Sequence, residues 1–385
     1  MKRRIRKLVT SDLNKKMVFV AGPRQCGKTT MALSILKSDE TDLRYLNWDT
    51  DRGRDTILSK NFPSGKGILI LDEIHKYPRW RNLLKGLYDS RKSDLQILVT
   101  GSAKLDAYRR SGDSLQGRYH FIRMHPIAFW ELPSQTQDDL ERLLKLGGFP
   151  EPFISDSEVE ARRWSREYRS RVIREELTSL EKVSDVTLLE ELSLRLPDCV
   201  GSPLSINSLR EDLGISHTTA TRWILILENL YQIFRVIPFG SPRIKAVKKE
   251  FKHFHYDWNL IQNPGARFEN FMACHYLNQT QWIEDSQGYS MELRYFRDRE
   301  QREVDLVVLK DKKPIQLIEC KLSRQESSSS LKYLKNKFKE VPAIQVCLEP
   351  TEDVTDRYGI RHCDARTLLS DPFFRNQIQE SDLQL

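Results

Sequence analysis

The sequence has no long run of apolar residues. Apolar runs such as residues 68–71 and 224–227 are strand-sized, whereas a membrane-spanning helix needs roughly 18 apolar residues. The basic first seven residues (MKRRIRK) lack the apolar core of a signal peptide, and they fit either a solvated tail or a binding arm. These absences predict a cytoplasmic protein without a membrane partner.

Cysteine is scarce, and charge of one sign is in excess. The chain has 6 cysteines in 385 residues and no C-x-x-C pair, which argues against a zinc ribbon or a disulfide framework. Lys and Arg number 62 against 54 Asp and Glu, a net charge of +8 that favours a polyanionic partner such as nucleic acid. The length predicts two or three domains.

One short stretch carries a complete motif. Residues 22–29 (GPRQCGKT) match the phosphate-binding loop G-x-x-x-x-G-K-[ST] at every constrained position. A buried-strand pattern (17–21) precedes the loop and a helical pattern (29–37) follows it, so backbone N–H groups and the positive end of the helix face an anion. Lys28 would reach the terminal phosphates, and the Thr29 hydroxyl would ligate Mg²⁺. The residues predicted to contact the nucleoside triphosphate are Gly22, Pro23, Arg24, Gln25, Cys26, Gly27, Lys28, Thr29 and Thr30.

Two further strand patterns end in polar residues. Residues 67–73 (GILILDE) end in Asp72, predicted to hold the Mg²⁺ shell, and Glu73, predicted to polarise an attacking water. The strand pattern over residues 96–102 places Thr100 or Ser102 to sense the γ-phosphate or orient the water, or it simply ends in a turn. Adjacent carboxylates suit attack by water better than transfer to a bound acceptor, which favours a hydrolase over a kinase.

Arg118 precedes another strand pattern, over residues 119–124. Phosphoryl transfer develops negative charge that a guanidinium can neutralise, so Arg118 is a candidate arginine finger; an ordinary surface arginine is the alternative. Several β–α units with the phosphate loop in the first predict a parallel sheet covered on both faces.

These motifs together resemble a family. Residues 22–30, 71–80 (LDEIHKYPRW), 99–102 (VTGS), 117–118, 125–131 (HPIAFWE) and 147–150 (GGFP) recur in prokaryotic AAA-type ATPases that carry a C-terminal domain of uncharacterised function. The resemblance spans roughly residues 5–323. It implies an AAA-like core, Mg²⁺–ATP, and a role for Arg118 at the γ-phosphate, within its own chain or from a neighbouring chain of a homo-oligomer. One departure is Arg174-Glu175, where such proteins more usually carry Arg-Asp.

The middle of the chain has the pattern of a winged helix. After a charged, helix-rich connector (135–185), residues 203–213 predict a helix, and Ser216 can cap a second helix over residues 217–231. Its predicted core face is Ala220, Trp223, Ile224, Leu227 and Leu230, and its predicted solvent face is His217, Thr218, Thr221 and Arg222. Strand patterns at 234–238 and 254–256 flank a basic stretch made of Arg243, Lys245, Lys248, Lys249 and Lys252. DNA contact and mere packing are both open for this segment.

The C-terminal third resembles the PD-(D/E)xK nuclease core. A helix carrying Glu269 precedes one strand with Asp305 and another with Glu319-x-Lys321. In that chemistry Asp305, Glu319 and Glu269 would bind Mg²⁺, and Lys321 would orient the water or stabilise developing charge. Related domains can keep the shape and lose turnover, so both cleavage and binding alone stay open.

The sequence thus predicts an α/β protein with four segments. They are an AAA-like P-loop domain with a parallel sheet (1–134), a helical lid or connector (135–185), a winged helix (186–262) and a nuclease-like α/β domain (263–385). The predicted function is Mg²⁺-dependent ATP hydrolysis that controls DNA binding and, in one version, DNA cleavage. The alternative is an ATP-switched regulator whose C-terminal domain binds DNA or another partner without cutting.

Overall fold

The computed structural model describes residues 3–91, 95–101, 105, 115–180, 185–240 and 250–375. The chain forms two compact units. The first is Met1–Ile127 together with Asn229–Tyr231, and the second is Ala128–Glu228 together with Gln232–Leu385.

A five-stranded parallel sheet forms the centre of the first unit. Its strands are β1 (Met17–Ala21), β2 (Tyr45–Asn47), β3 (Gly67–Asp72), β4 (Leu95–Gly101) and β5 (Tyr119–Arg123). They lie in the order β2-β3-β4-β1-β5, and every neighbouring pair is parallel. Because all strands run the same way, the carboxyl ends of β1, β3 and β4 lie at one edge of the sheet. The predicted parallel-sheet P-loop fold is confirmed.

In the described residues of the first unit, four helices accompany this sheet. They are α1 (Ile5–Leu13), α2 (Lys28–Leu36), α3 (Asp51–Ser59) and α4 (Trp80–Arg91). The basic N-terminal run leads into α1, whose apolar side, including Leu8 and Val9, is buried. The guanidinium of Arg3 donates hydrogen bonds to the carbonyl oxygens of Cys26 (2.8 Å) and His125 (2.5 Å). This residue is therefore a packed part of the first unit, neither a solvated tail nor a free arm.

The helices of the second unit include those of the predicted connector. They are α5 (Gln137–Leu146), α6 (Pro150–Ser155), α7 (Glu158–Leu180), α8 (Val186–Arg195), α9 (Ile206–Leu213), α10 (His217–Asn229), α11 (Pro264–Gln287), α12 (Ser329–Lys337), α13 (Ala365–Leu369) and α14 (Pro372–Arg375). Phe149 packs against the rings of Trp164 and Tyr168 on α7, with centroids 4.8 and 4.9 Å away. Arg174 belongs to the Arg-Glu pair that departs from the family pattern, and it forms an ion pair with Glu190 at 2.7 Å. The Glu175 side chain lies outside the described part of the chain.

Local capping explains where α9 and α10 begin. The hydroxyl of Ser205 accepts from the N–H of Ser208, so α9 begins three residues later than the pattern predicts. The hydroxyl of Ser216 accepts from the N–H of Thr219, as predicted for the start of α10. This helix ends at Asn229, not at residue 231, and Tyr231 has a left-handed φ of 56°.

A mixed eight-stranded sheet organises the second unit. Its strands are β6 (Ile233–Pro238), β7 (Lys252–His255), β8 (Met291–Arg297), β9 (Glu303–Lys310), β10 (Lys313–Lys321), β11 (Ala343–Cys347), β12 (Val354–Thr355) and β13 (Ile360–Asp364). They lie in the order β12-β13-β11-β10-β9-β8-β6-β7. The hairpin β6–β7 is antiparallel, and β6 continues into a parallel pairing with β8. A long, largely buried helix, α11, packs on β8 and β10.

Candidate functional site

The loop between β1 and α2 has the backbone shape that phosphate binding requires. A Cβ on Gly22 would lie 2.0 Å from the carbonyl oxygen of Met124, so only glycine fits there. Gly27 has a left-handed φ of 96° and precedes α2 without any side-chain cap. Gly27 has no side chain that could accept a hydrogen bond from the first N–H groups of α2. These N–H groups can therefore bind an anion held by the loop.

Lys28 lies folded over this loop. Its ammonium donates to the carbonyl oxygens of Gly22 (3.0 Å) and Pro23 (2.6 Å), and the residue is only 7% exposed. Cys26 is fully buried with its Sγ 3.8 Å from the Met124 carbonyl oxygen, so only its backbone faces the loop. Arg24 is half-buried, and Gln25, at φ 58°, and Thr30 are exposed. The loop therefore combines backbone groups with the Lys28 ammonium.

Asp72 is held by three hydroxyl groups. Its Oδ2 accepts from Thr29 (2.8 Å) and from the phenol of Tyr45 (2.9 Å), and its Oδ1 accepts from Thr100 (2.5 Å). Burial, reinforced by the charge of Asp72, raises the pKa of Tyr45, so its phenol stays protonated and donates. The carboxylate is thus oriented from α2, β2 and β4 at once.

Thr100 is the register neighbour of Asp72 on β4, is fully buried, and donates its hydroxyl hydrogen to that carboxylate. In this arrangement it positions Asp72, and a role in sensing phosphate or orienting the water stays a prediction. Tyr45 was missed because its strand pattern carries no motif. Ser102, the alternative candidate, lies outside the described residues.

Glu73 follows Asp72 in a left-handed conformation (φ 54°), where the chain turns into a short 3₁₀ segment. Its N–H donates to the Thr100 carbonyl oxygen at 3.0 Å. Its Oε2 lies 3.5 Å from Nε2 of His75 and 3.7 Å from Nζ of Lys76. The structure therefore brings Glu73 to the same sheet edge as the loop, with basic groups beside it that the sequence did not single out.

Arg118 lies at the opposite end of the sheet. Its carbonyl oxygen accepts from the N–H of Met17, the first residue of β1, whereas the phosphate loop follows the last residue of that strand. A strand of this length separates the two ends by about 13 Å. The Arg118 guanidinium pairs with Asp89 at 3.0 Å. This placement separates Arg118 from the loop of its own chain, and a role at the γ-phosphate, within the chain or from a neighbouring chain, stays a prediction. Arg123, register partner of Ala21, is the arginine of β5 at the loop end.

Thr29 and Asp72 suit Mg²⁺. Both offer oxygen atoms, which this hard cation prefers, and these oxygens lie 2.8 Å apart. They would hold the ion, which when bound would supply charge neutralisation for the β- and γ-phosphates.

The exposed and buried faces of α10 match the predicted pattern. Ala220, Trp223, Ile224, Leu227 and Leu230 are buried, and His217, Thr218, Thr221 and Arg222 are exposed. Residues 243, 245, 248 and 249 of the basic stretch lie outside the described residues.

Lys252, the last residue of the predicted basic stretch, is fully buried instead of facing solvent. Its Nζ lies 2.6 Å from Oε1 of Glu303, 2.8 Å from Oε1 of Glu269 and 3.7 Å from Oδ1 of Asp305. Burial alone lowers the pKa of a lysine, but the surrounding carboxylates outweigh that effect and raise the pKa of Lys252, so it is charged. Lys252 is therefore the first residue of β7 and a buried charge, not a member of the basic stretch between the two strands.

The predicted nuclease-like residues do come together. Lys321 and Glu319 share one face of β10 and pair at 2.8 Å, and Oδ2 of Asp305 accepts from the N–H of Cys320 at 2.8 Å. Burial raises the pKa of Glu319 and of Glu269. We call the six side chains the acidic cluster: Glu269, Glu303, Asp305 and Glu319, with Lys252 and Lys321.

The acidic cluster does not fit a metal ion as it stands. Within the described ranges, no group of three or more His, Cys, Asp or Glu side chains is arranged to hold a metal. The physical reason is the Lys252 ammonium, which uses the carboxylates of Glu269 and Glu303. The ligand role predicted for Glu269, Asp305 and Glu319 therefore gains no support from this geometry.

No helix in the described parts of the chain is long and apolar enough to cross a membrane.

Comparison with known proteins gives three consecutive family matches. An AAA domain matches residues 14–133, a domain of unknown function (DUF8612) matches residues 137–263, and another (DUF4143) matches residues 264–364. An uncharacterised protein of Mycobacterium tuberculosis is 25% identical over 273 residues, covering 66% of this chain and 61% of the relative. An uncharacterised protein of Methanocaldococcus jannaschii is 20% identical over 384 residues, covering 89% and 84%. The chain thus spans about three fifths of the length of the mycobacterial relative.

Among solved structures, the chain is similar to the Aeropyrum pernix ORC1 protein in complex with DNA. The TM-score is 0.31 at 13% identity, over 70% of this chain and 91% of that one, which is too low to support an inference. The family matches agree with the loop geometry and with the resemblance of the sequence motifs. The chain thus combines a segment similar to AAA domains with a C-terminal segment similar to a domain of unknown function, DUF4143.

Proposed function

We propose that this protein hydrolyses ATP with Mg²⁺ at the loop of residues 22–29. The observation that carries the proposal is the hydrogen bond from the Thr29 hydroxyl to Asp72, together with the Lys28 side chain that folds over the loop. Lys28 would leave its two carbonyl partners for the terminal phosphates, and Thr29 and Asp72 would hold Mg²⁺. Glu73 would accept a proton from the attacking water.

Hydrolysis is tested by phosphate release from ATP without an added acceptor. Lys28→Ala should lose both nucleotide binding and turnover, whereas Glu73→Gln should bind ATP and lose turnover by roughly 100-fold or more. Lys15→Ala, at an exposed position of the first unit, is the matched control and should behave as wild type. Wild-type phosphate release by Lys28→Ala would refute the assignment.

The proposed task of the ATPase is to control engagement of DNA by α10. The support is the net charge of +8 and the polar, exposed N-terminal half of that helix, which follows a tight turn from α9 as in a helix-turn-helix. In this interpretation residues 186–262 form a winged helix with the hairpin β6–β7. The four-segment division of the chain remains part of the same proposal.

DNA engagement is tested by fluorescence anisotropy of a labelled duplex with ATP, with ADP and without nucleotide. Arg222→Ala should weaken binding and lower its salt dependence. Arg162→Ala, an exposed arginine on α7, is the control. Equal binding by wild type and Arg222→Ala in all nucleotide states would exclude α10 as the contact.

A second candidate is a nucleotide-switched binding protein that does not cut. The observation favouring it over a nuclease is the buried Lys252 among the carboxylates expected to hold the catalytic metal. Incubation of supercoiled DNA with the wild-type protein and Mg²⁺ or Mn²⁺ separates the two. A metal-dependent product that Asp305→Ala and Lys321→Ala abolish would favour the nuclease.

A further inference from the structure

Lys252 occupies the position at which a divalent cation would have to sit. It reaches the acidic cluster from β7, whereas its two nearest partners come from α11 (Glu269, 2.8 Å) and β9 (Glu303, 2.6 Å). The ring of Tyr295 on β8 lies 5.6 Å from the ammonium, so an aromatic face adds to the cradle. Three separate elements thus converge on one buried cation.

A metal ion and this ammonium would compete for the same oxygens. Mg²⁺ binds carboxylate oxygens at about 2.0–2.1 Å and Mn²⁺ prefers the same oxygen donors. An ion at that distance from Glu269 and Glu303 would lie within a few ångströms of Nζ, where two positive charges repel strongly in a buried setting. Lys252 has no water-exposed surface through which to move its charge outward. Occupation by one cation therefore excludes the other.

A separate observation shows that the acidic cluster retains an acceptor for a cation. The Glu319 side chain is only 7% exposed, and its Oε1 is taken by Lys321. Its Oε2 is buried, and the described residues provide no hydrogen-bond donor to it. Removing the Lys252 charge would leave this oxygen, Glu269 and Asp305 without the ammonium, whereas Glu303 would keep its ion pair with Arg297 at 2.9 Å.

We propose that Lys252 is a built-in counter-ion that replaces the divalent metal of the nuclease-like centre, so that the acidic cluster binds no metal in the native protein. The C-terminal half then keeps the arrangement of a nuclease without its metal, as a rigid binding module. This proposal concerns the second unit alone, so it can fail while ATP hydrolysis at the loop stands, and the reverse.

The test counts Mn²⁺ bound to nucleotide-free, full-length protein by the electron paramagnetic resonance signal of free Mn²⁺. Wild type and Asp305→Asn should bind the same amount. Lys252→Met should gain about one further Mn²⁺ per chain, and adding Asp305→Asn to it should remove that gain. Any Mn²⁺ held at the phosphate loop is common to all four proteins and cancels.

Two results would overturn the proposal. One is a wild-type protein that binds more Mn²⁺ than both Asp305→Asn and Glu319→Gln. The other is a folded Lys252→Met protein that gains none. If Lys252→Met does not fold, the test is the comparison of wild type with Asp305→Asn and Glu319→Gln. Equal Mn²⁺ binding by these three proteins supports Lys252 as the counter-ion. Loss of Mn²⁺ in both variants refutes it.

Discussion

The Thr29 hydroxyl donates a 2.8 Å hydrogen bond to Oδ2 of Asp72 and joins the first turn of α2 to the end of β3. These residues are 43 positions apart in the sequence. The bond spans β4, which lies between β1 and β3 in the sheet. This hydrogen bond therefore holds together the two oxygens proposed to bind Mg²⁺.

We expect Thr29→Val to lower Mg²⁺-dependent ATP hydrolysis by about 100-fold, because it removes a proposed metal ligand and a donor to Asp72. Thr29→Ser keeps the hydroxyl and should retain most of the rate. Thr10→Val, at an exposed position on α1, should match wild type. Steady-state phosphate release measures all three, and equal rates for Val and Ser at position 29 would contradict the ligand role.

Tyr45→Phe should raise the Mg²⁺ concentration needed for half-maximal hydrolysis by about 10-fold, since it deletes one hydrogen bond to an ionised carboxylate. Nucleotide affinity without Mg²⁺ should not change. Tyr289→Phe, at an exposed tyrosine of the second unit, is the control. An unchanged Mg²⁺ dependence would show that Thr29 and Thr100 suffice to orient Asp72.

Arg118→Ala should leave the affinity of a single chain for an ATP analogue unchanged, because Arg118 lies about 13 Å along β1 from the loop. The measurement is nucleotide titration at low protein concentration. Hydrolysis per chain over a range of protein concentrations then tests the neighbouring chain. A rise with concentration that Arg118→Ala abolishes supports action in trans, and weakened binding at low concentration would contradict the placement of this residue.

His275 makes the second unit sensitive to acid. Its Nε2 accepts from the N–H of Phe129 (3.0 Å) and its Nδ1 pairs with the carbonyl oxygen of Phe271 (2.8 Å), so the buried ring is neutral. Burial lowers the pKa of His275 from 6.5 to about 4. The unfolded chain then binds a proton that the folded chain does not. The neutral ring therefore contributes about 3 kcal/mol to the free energy of unfolding above pH 6.5, and this contribution is lost as the pH falls from 6.5 towards 4.

In His275→Gln, the free energy of unfolding should fall less steeply between pH 6.5 and 4. The slope against pH should decrease by the equivalent of about one proton. Asp257 changes the stability in the opposite direction as the pH falls, because burial raises its pKa from 3.8 to about 6. Its contribution is the same in wild type and variant, so it cancels when the two curves are subtracted. His217→Gln, at an exposed position, is the matched control. An identical pH slope in His275→Gln would contradict the neutral buried ring.

The phosphate loop was predictable because its geometry follows from consecutive residues. Gly22, Gly27 and Lys28 lie where the motif requires, and Glu319 and Lys321 share a face because strands alternate. A residue that enters a parallel strand lies at the edge opposite the loop, a constraint that the prediction of Arg118 as an arginine finger did not use.

Lys252 could not be assigned from the sequence. Its partners are 17, 51 and 53 positions away, and a lysine after a basic stretch favours a solvated hairpin. Only the tertiary packing of β7 on α11, with the Lys252 side chain reaching Glu303 on β9, reveals its burial. The three hydroxyls on Asp72 were hidden for the same reason, since Tyr45 and Thr100 belong to different strands.

The parallel pairing of β6 with β8 joins the segment of α9, α10 and β6 to the C-terminal third through hydrogen-bonded strands. A fragment cut between residues 262 and 263 would expose unpaired strand edges on both pieces and separate Lys252 from Glu269 and Glu303. The two segments are therefore best expressed, and perturbed, as one piece.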